Sequence, residues 1–261
     1  MAETMITAVN PIVIGLVVFA FVLGGAILGM SLRAALPEDH LSNESKDTVK
    51  LGIGLIATMT ALVLGLVTAS AKSSFDAQDT AVKHTAADIL TLDRALARYG
   101  PETKEIRDSI RRIVSLRVNM IWPEDSSRPA RVDPSEVAPT VEGIEDRIRT
   151  LSPQNDTQRW FKSRALDVSE DMLKVRWLIF GWKGVSIPTP FLVALSLWLT
   201  ITFMSFGLFA PRNATVIAVL FVCALSVSSV VFLILEMDGP FEGLIKVSDA
   251  PLRYALLHLG Q

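Results

Sequence analysis

The chain has 261 residues, is 50% hydrophobic with a mean hydropathy of +0.42, and sets 25 Lys+Arg against 27 Asp+Glu. A soluble domain of this size seldom averages so apolar, so the excess must sit in long runs, and a near-neutral chain with no basic tract has no electrostatic footprint for nucleic acid. The single cysteine, Cys223, falls inside an apolar run, which leaves neither a disulfide framework nor a Cys-based metal site.

The N-terminal MAETMITAVN has no Lys or Arg, and the run after it is uncharged from Ile12 to Leu32. A cleaved signal peptide has a basic start, a shorter apolar core and a small-residue cleavage site, so this run reads as a retained membrane span, roughly Pro11 to Leu32. It ends at Arg33, long enough to reach the interface. Gly25 and Gly29 make a small-xxx-small pair, a spacing that lets two helix backbones approach closely. The connection Ala34 to Lys50 contains LPEDHLSNESKD and reads as a solvated loop or short helix.

The second apolar run, Leu51 to Lys72, has one face that is not oily. Gly54, Thr58, Ala61, Gly65, Thr68 and Lys72 fall within roughly 40° of one line on a helix, a stripe of small and hydroxyl-bearing side chains. Such a stripe either lines a water-filled path or admits a closely packed helix. No Pro or Gly occurs from Ala71 to Tyr99, and Val82, Ala86, Ile89, Leu92, Leu96 and Tyr99 keep a helical period, so one long helix is expected to leave the membrane.

Gly100-Pro101 supplies a C-cap residue and a proline suited to the first turn of the next helix. Ile106, Ile110, Ile113 and Val114 mark that helix, which should stop before Trp122-Pro123. Glu124 to Pro139, with Pro129 and Pro134 among polar residues, reads as a surface loop. Val141, Ile144, Ile148 and Leu151 predict a short amphipathic helix. Ser152-Pro153 reads as the N-cap and first residue of another, running through Trp160, Phe161, Val168, Met172 and Val175 to Phe180. Ile187 to Ala210, opened by Pro188 and Pro190, is the third span. Pro211-Arg212-Asn213 is a tight turn, and about Ala214 to Leu235 is the fourth span. After Gly239-Pro240, Ser248 looks like the N-cap of a short helix with Leu252, Ala255, Leu256 and Leu259 on one face, suited to lie on protein or membrane.

The fold expected is therefore all-α: a polytopic membrane protein with four transmembrane helices in two hairpins and a helical extramembrane domain between spans 2 and 3. The segments are a first hairpin at 1–72 (spans about 11–32 and 51–71), a helical domain at 73–186, a second hairpin at 187–236 and a C-terminal tail at 237–261. Near the span ends, Lys72, Lys83, Lys174, Arg176, Lys183, Lys246 and Arg253 lie on one side, and Arg33, Lys46, Lys50 and Arg212 on the other. By the positive-inside bias both termini and the large domain face the cytoplasm.

No enzyme signature occurs: no phosphate-cradling glycine loop, no HExxH and no GxSxG, and His40, His84 and His258 are far apart. His84 with Asp88, Glu145-Asp146 and Glu170-Asp171 read as solvated faces. A hard-cation site needs about six to eight oxygen ligands, so no metal or other cofactor is expected. Proton-coupled transporters keep an acid or histidine within the bilayer, and no span contains one; passive conduction or no conduction remains. Lys72, Asp76, Glu236 and Asp238 fall at one membrane boundary, where they anchor helix ends, attract ions or latch the second span to the tail.

LPEDHLSNESKD, VKLGIGLIATMTALVLGLVTASAKSSFD, LDRALARYGPE, FGLFAPRNATV and LILEMDGPFEGLIKVS, in that order, resemble the bacterial bestrophin-like family of unknown function over nearly the whole chain. The family is named for its similarity to bestrophins, pentameric anion channels whose second span lines the pore. The resemblance implies a homo-oligomer, a pentamer by analogy, in the bacterial inner membrane, with Gly54, Thr58, Ala61, Gly65 and Thr68 facing a path for small ions, anions by analogy. Bestrophins carry an acidic calcium clasp after the last span; Gly239-Pro240-Phe241-Glu242-Gly243 lacks the acidic cluster, so calcium is not carried over. The alternative is a non-conducting membrane scaffold or sensor whose helical domain binds a partner.

Overall fold

The computed structural model describes residues 10–37, 43–123, 138–181, 189–211, 213–241 and 243–261. In these the chain is helical and without strands: α1 (Pro11–Ala35), α2 (Asn43–Tyr99), α3 (Lys104–Ile121), α4 (Ala138–Arg149), α5 (Asp156–Gly181), α6 (Thr189–Phe209), α7 (Ala214–Asp238) and α8 (Ala250–His258). His40, Pro188, Arg212, Glu242 and the stretch 124–137 of the expected loop lie outside the described residues. Among the described residues four helices, α1, α2, α6 and α7, are long and apolar enough to cross a membrane. The helices divide between two compact units, one formed by residues 1–74 with 186–239, the other by 75–185 with 240–261.

In the first unit α1 is the central helix. Val18, Val22, Ala26 and Met30 of α1 meet Leu195, Leu199 and Phe203 of α6 and Leu220, Ala224 and Val231 of α7 in one buried cluster. The Gly25/Gly29 spacing does what it predicts. A Cβ on Gly25 would sit 2.9 Å from Cγ2 and from the carbonyl oxygen of Thr200, and one on Gly29 would sit 1.9 Å from the Met204 carbonyl oxygen. From the other helix, a Cβ on Gly207 would be 2.0 Å from the Ala26 carbonyl oxygen. Without a hydrophobic drive between helices in lipid, this close van der Waals approach is what holds two spans together. The contacts advance by four residues on both helices, so α1 and α6 run parallel. Arg33 reinforces the shared end by donating to the carbonyl of Ala210, a cation at the C-terminus of α6. Gly15 instead meets Phe232 and Phe19 meets Phe221, an order that makes α7 antiparallel to α1. This is the alternation a four-span chain requires.

α2 is a single helix of 57 residues, about 86 Å at 1.5 Å per residue, far longer than the ~20 residues that cross a bilayer. From Phe75 on it belongs to the second unit, where all six residues of the expected period, Val82, Ala86, Ile89, Leu92, Leu96 and Tyr99, are buried. They pack with Ile106, Ile110, Val114 and Val118 of α3, Ile144 and Ile148 of α4, Ala165 and Val168 of α5, and Leu252, Ala255 and Leu259 of α8. α8 thus lies on protein. Its N-cap position is Asp249 rather than Ser248, although Ser248 Oγ still accepts from the Ala250 amide at 3.2 Å.

Two local expectations shift. Helix α5 opens at Asp156, not at Ser152-Pro153, because Asn155 Oδ1 accepts the Gln158 amide at 2.8 Å while Gln158 Oε1 takes the Gln154 amide at 2.7 Å, a reciprocal cap. Pro139 lies in the first turn of α4 rather than in the loop, a position where its missing N–H costs nothing. Along α5, Trp160 is 62% exposed and packs edge-on against Phe161 with ring centroids 4.9 Å apart.

Candidate functional site

The stripe on α2 occupies the part of the helix that belongs to the membrane unit. Its own chain covers little of it: 6% of the apolar window of α2 is buried, against 33% in α1, 33% in α6 and 28% in α7. Thr60, 4% exposed, marks the one face turned inward, with Val63 and Leu64 packed against the α1/α6/α7 cluster. Gly54, Thr58, Ala61 and Gly65 are exposed and Thr68 is half-buried, so the stripe lies beside that face and open along its length. A Cβ added to Gly54 or Gly65 would meet nothing within 4 Å. Next to the stripe, about 100° further round the helix, Leu51, Leu55, Met59, Leu62 and Leu66 form an exposed apolar ridge.

The hydroxyls of the stripe are oriented. Thr58 Oγ1 donates to the Gly54 carbonyl at 2.8 Å and Thr68 Oγ1 to the Leu64 carbonyl at 2.7 Å, as Thr60 does to Ile56 at 2.7 Å. Each hydroxyl has one proton, and it is spent on the helix itself. What the threonines present away from the helix is therefore oxygen lone pairs and methyl groups, an acceptor surface without donors or formal charge.

The four expected boundary charges are placed as follows. Lys72 is exposed at the last turns of α2 within the membrane unit, and Asp76 is exposed four residues on, within the helical unit. Glu236 is 2% exposed near the end of α7, and Asp238 is the last residue of that helix. Each of the four takes part in a hydrogen bond, ion pair or electrostatic interaction. No group of three or more His, Cys, Asp or Glu able to hold a metal occurs among the described residues.

The family model described as the Bestrophin-like domain matches residues 18–252. The chain belongs to that family. A crystal structure of a mutant bacterial Bestrophin homolog from Klebsiella pneumoniae superposes with a TM-score of 0.61 at 16% identity, covering 94% of this chain and 97% of the other, which establishes a common fold. No curated protein matches the sequence. A bestrophin-like membrane protein thus accounts for residues 18–252.

Sequence reasoning did not find three features of this bestrophin-like chain. Asp93 and Arg107 form a buried ion pair across α2 and α3, which the spacing of neither helix announces. Trp122 donates its indole N–H to the Val247 carbonyl, a contact over 125 positions. Ser228, in the middle of the fourth span, is buried with a hydroxyl that meets no partner among the described residues.

Proposed function

We propose that this bestrophin-like protein assembles with copies of itself around the α2 helices and conducts small ions along the stripe Gly54, Thr58, Ala61, Gly65 and Thr68. The observation that carries the reading is the open stripe. In this chain glycines used for helix packing, Gly25, Gly29 and Gly207, are pressed against backbone, whereas Gly54 and Gly65 face empty space in a single copy. A lone transmembrane helix so little covered by its own chain gains its neighbours from other copies. By family analogy the assembly is a pentamer in the bacterial cytoplasmic membrane, and by the positive-inside bias both termini and the helical unit are on the cytoplasmic side.

The wall chemistry bears on the sign of the ion. Bestrophins suggest anions, but an anion needs donors or positive charge, and the Thr58 and Thr68 protons are already committed to Gly54 and Leu64. Lone pairs facing a path favour small cations. The absence of any titratable side chain between Leu51 and Ala71 supports passive flow rather than proton coupling.

The test is reconstitution of the purified protein in liposomes with a flux assay under sodium and chloride gradients. Ion flux that falls on Thr58→Leu or Gly65→Leu is expected. A strictly monomeric protein removes the basis of the proposal, and an assembled protein that passes no ion supports the non-conducting scaffold instead.

A further inference from the structure

Two membrane spans feed one hydrophobic core. Phe75, the first residue of the helical unit on α2, and Phe241, the second residue after the C-cap of α7, both pack against the buried cluster of that unit. The end of α3 supplies the contact that holds the second of these. α3 stops at Ile121 because a proline follows at 123, and Trp122 turns out of the helix with φ −123° and ψ 74°, keeping its amide on the Val118 carbonyl at 2.8 Å. Its ring meets Phe241 edge-on, with centroids 5.5 Å apart, and its Nε1–H donates to the Val247 carbonyl at 2.9 Å.

The segment so held is a closed loop. The Val247 amide returns to the Pro240 carbonyl at 2.8 Å, Val247 is 2% exposed, and Leu244 at the tip is 74% exposed and adds little apolar anchoring. Pro240 follows directly on Gly239, the C-cap of the fourth span.

We propose that Trp122 is a latch for the segment that follows the fourth span. With the indole N–H on the Val247 carbonyl, the segment that follows the fourth span is fastened to the core of the helical unit. Breaking that bond frees the end of the fourth span and leaves the second in place, because Phe75 sits on the continuous helix α2 and does not depend on Trp122 for its attachment. The regulatory half of the proposal rests on the channel reading: release of the segment that follows the fourth span changes conduction.

Trp122→Phe tests it, since phenylalanine keeps an aromatic ring beside Phe241 and removes the donor. Hydrogen exchange on the full chain is expected to quicken roughly five- to tenfold for the amides of 241–249, the change one lost hydrogen bond brings, with α2 and α3 within about twofold of wild type. Unchanged exchange in 241–249, or a loss of protection spread equally through α2 and α3, overturns the latch. In liposomes the same variant, with assembly intact, is expected to change ion flux at least about twofold. A conducting wild type whose flux the substitution leaves alone overturns the regulatory half. A wild type that does not conduct overturns the channel reading, and the exchange result then decides the latch by itself.

Discussion

Asp93 on α2 receives two hydrogen bonds from one guanidinium on α3: Arg107 Nε reaches Oδ1 at 2.8 Å and Nη2 reaches Oδ2 at 2.9 Å. The carboxylate is 1% exposed, and the pairing holds the Arg107 guanidinium above its ordinary pKa. The C-terminal segment closes over the pair, with the Gly260 amide 3.3 Å from Asp93 Oδ2 and Arg107 Nη2 3.2 Å from the Gln261 carbonyl. Gly260 has φ +86°, a left-handed conformation that suits glycine and aims its N–H at the carboxylate.

Removing one partner of a buried pair leaves an uncompensated charge, so Asp93→Ala is expected to cost about 3–5 kcal/mol. Thermal unfolding in detergent followed by size-exclusion fluorescence measures it. Asp93→Asn, which keeps acceptor geometry for one of the two bonds, is expected to lose less. Equal melting temperatures for Asp93→Ala and wild type would show that the pair contributes nothing.

Glycines in the first and second spans separate by role. Gly29→Ala drives a methyl into the Met204 carbonyl and forces α1 and α6 apart, with an expected loss of about 1–3 kcal/mol or more. Gly54→Ala and Gly65→Ala add a methyl to open space and raise helix propensity, so the folded chain tolerates both. Expression level and melting temperature of the three variants compare these outcomes directly. In the assembled protein, Gly65→Ala then reports whether the stripe meets a neighbouring helix, through loss of the oligomer, or a lumen, through reduced flux at constant assembly.

Ser228 is the reverse case. Hydroxyls at Thr200, Thr202, Ser226 and Ser229 donate to carbonyls of their own helices, but the buried Ser228 oxygen has no such bond. A buried polar atom left unsatisfied costs about 1–3 kcal/mol, so Ser228→Ala is expected to raise the melting temperature. A lower value would mean that the hydroxyl has a partner in the assembled state.

Asp88 gives the helical unit a pH dependence. Burial pushes its pKa above 3.8, the nearby Asp171 raises it further, and His84 and Arg164 oppose the shift. A carboxyl whose folded pKa exceeds its unfolded value binds its proton more tightly when folded, so stability falls as pH rises from the unfolded value through the raised one, and the cost persists at neutral pH. Asp88→Asn is therefore expected to melt higher than wild type at pH 7, with the difference shrinking as pH falls toward 4. A difference that grows on acidification contradicts this assignment.

The amino-acid sequence by itself determined the four runs long and apolar enough to cross a membrane and the helical character of the described residues outside them. Uncharged runs of span length, and apolar residues at three- and four-residue spacing such as Val82 through Tyr99, are local patterns that burial enforces whatever the partner, and the Gly25/Gly29 pair fixed a close approach in the same way. Sequence also located the stripe from Gly54 to Thr68 but left open what it faces. Only the tertiary structure decided that α1, α6 and α7 pack on one another while the stripe stays uncovered by its own chain, that the tail folds into the helical unit, and that Asp93 finds Arg107 and Trp122 finds Val247. Those facts depend on which helix faces which across long sequence separations, and the period of a single helix records that it has a buried side without recording whose side it meets.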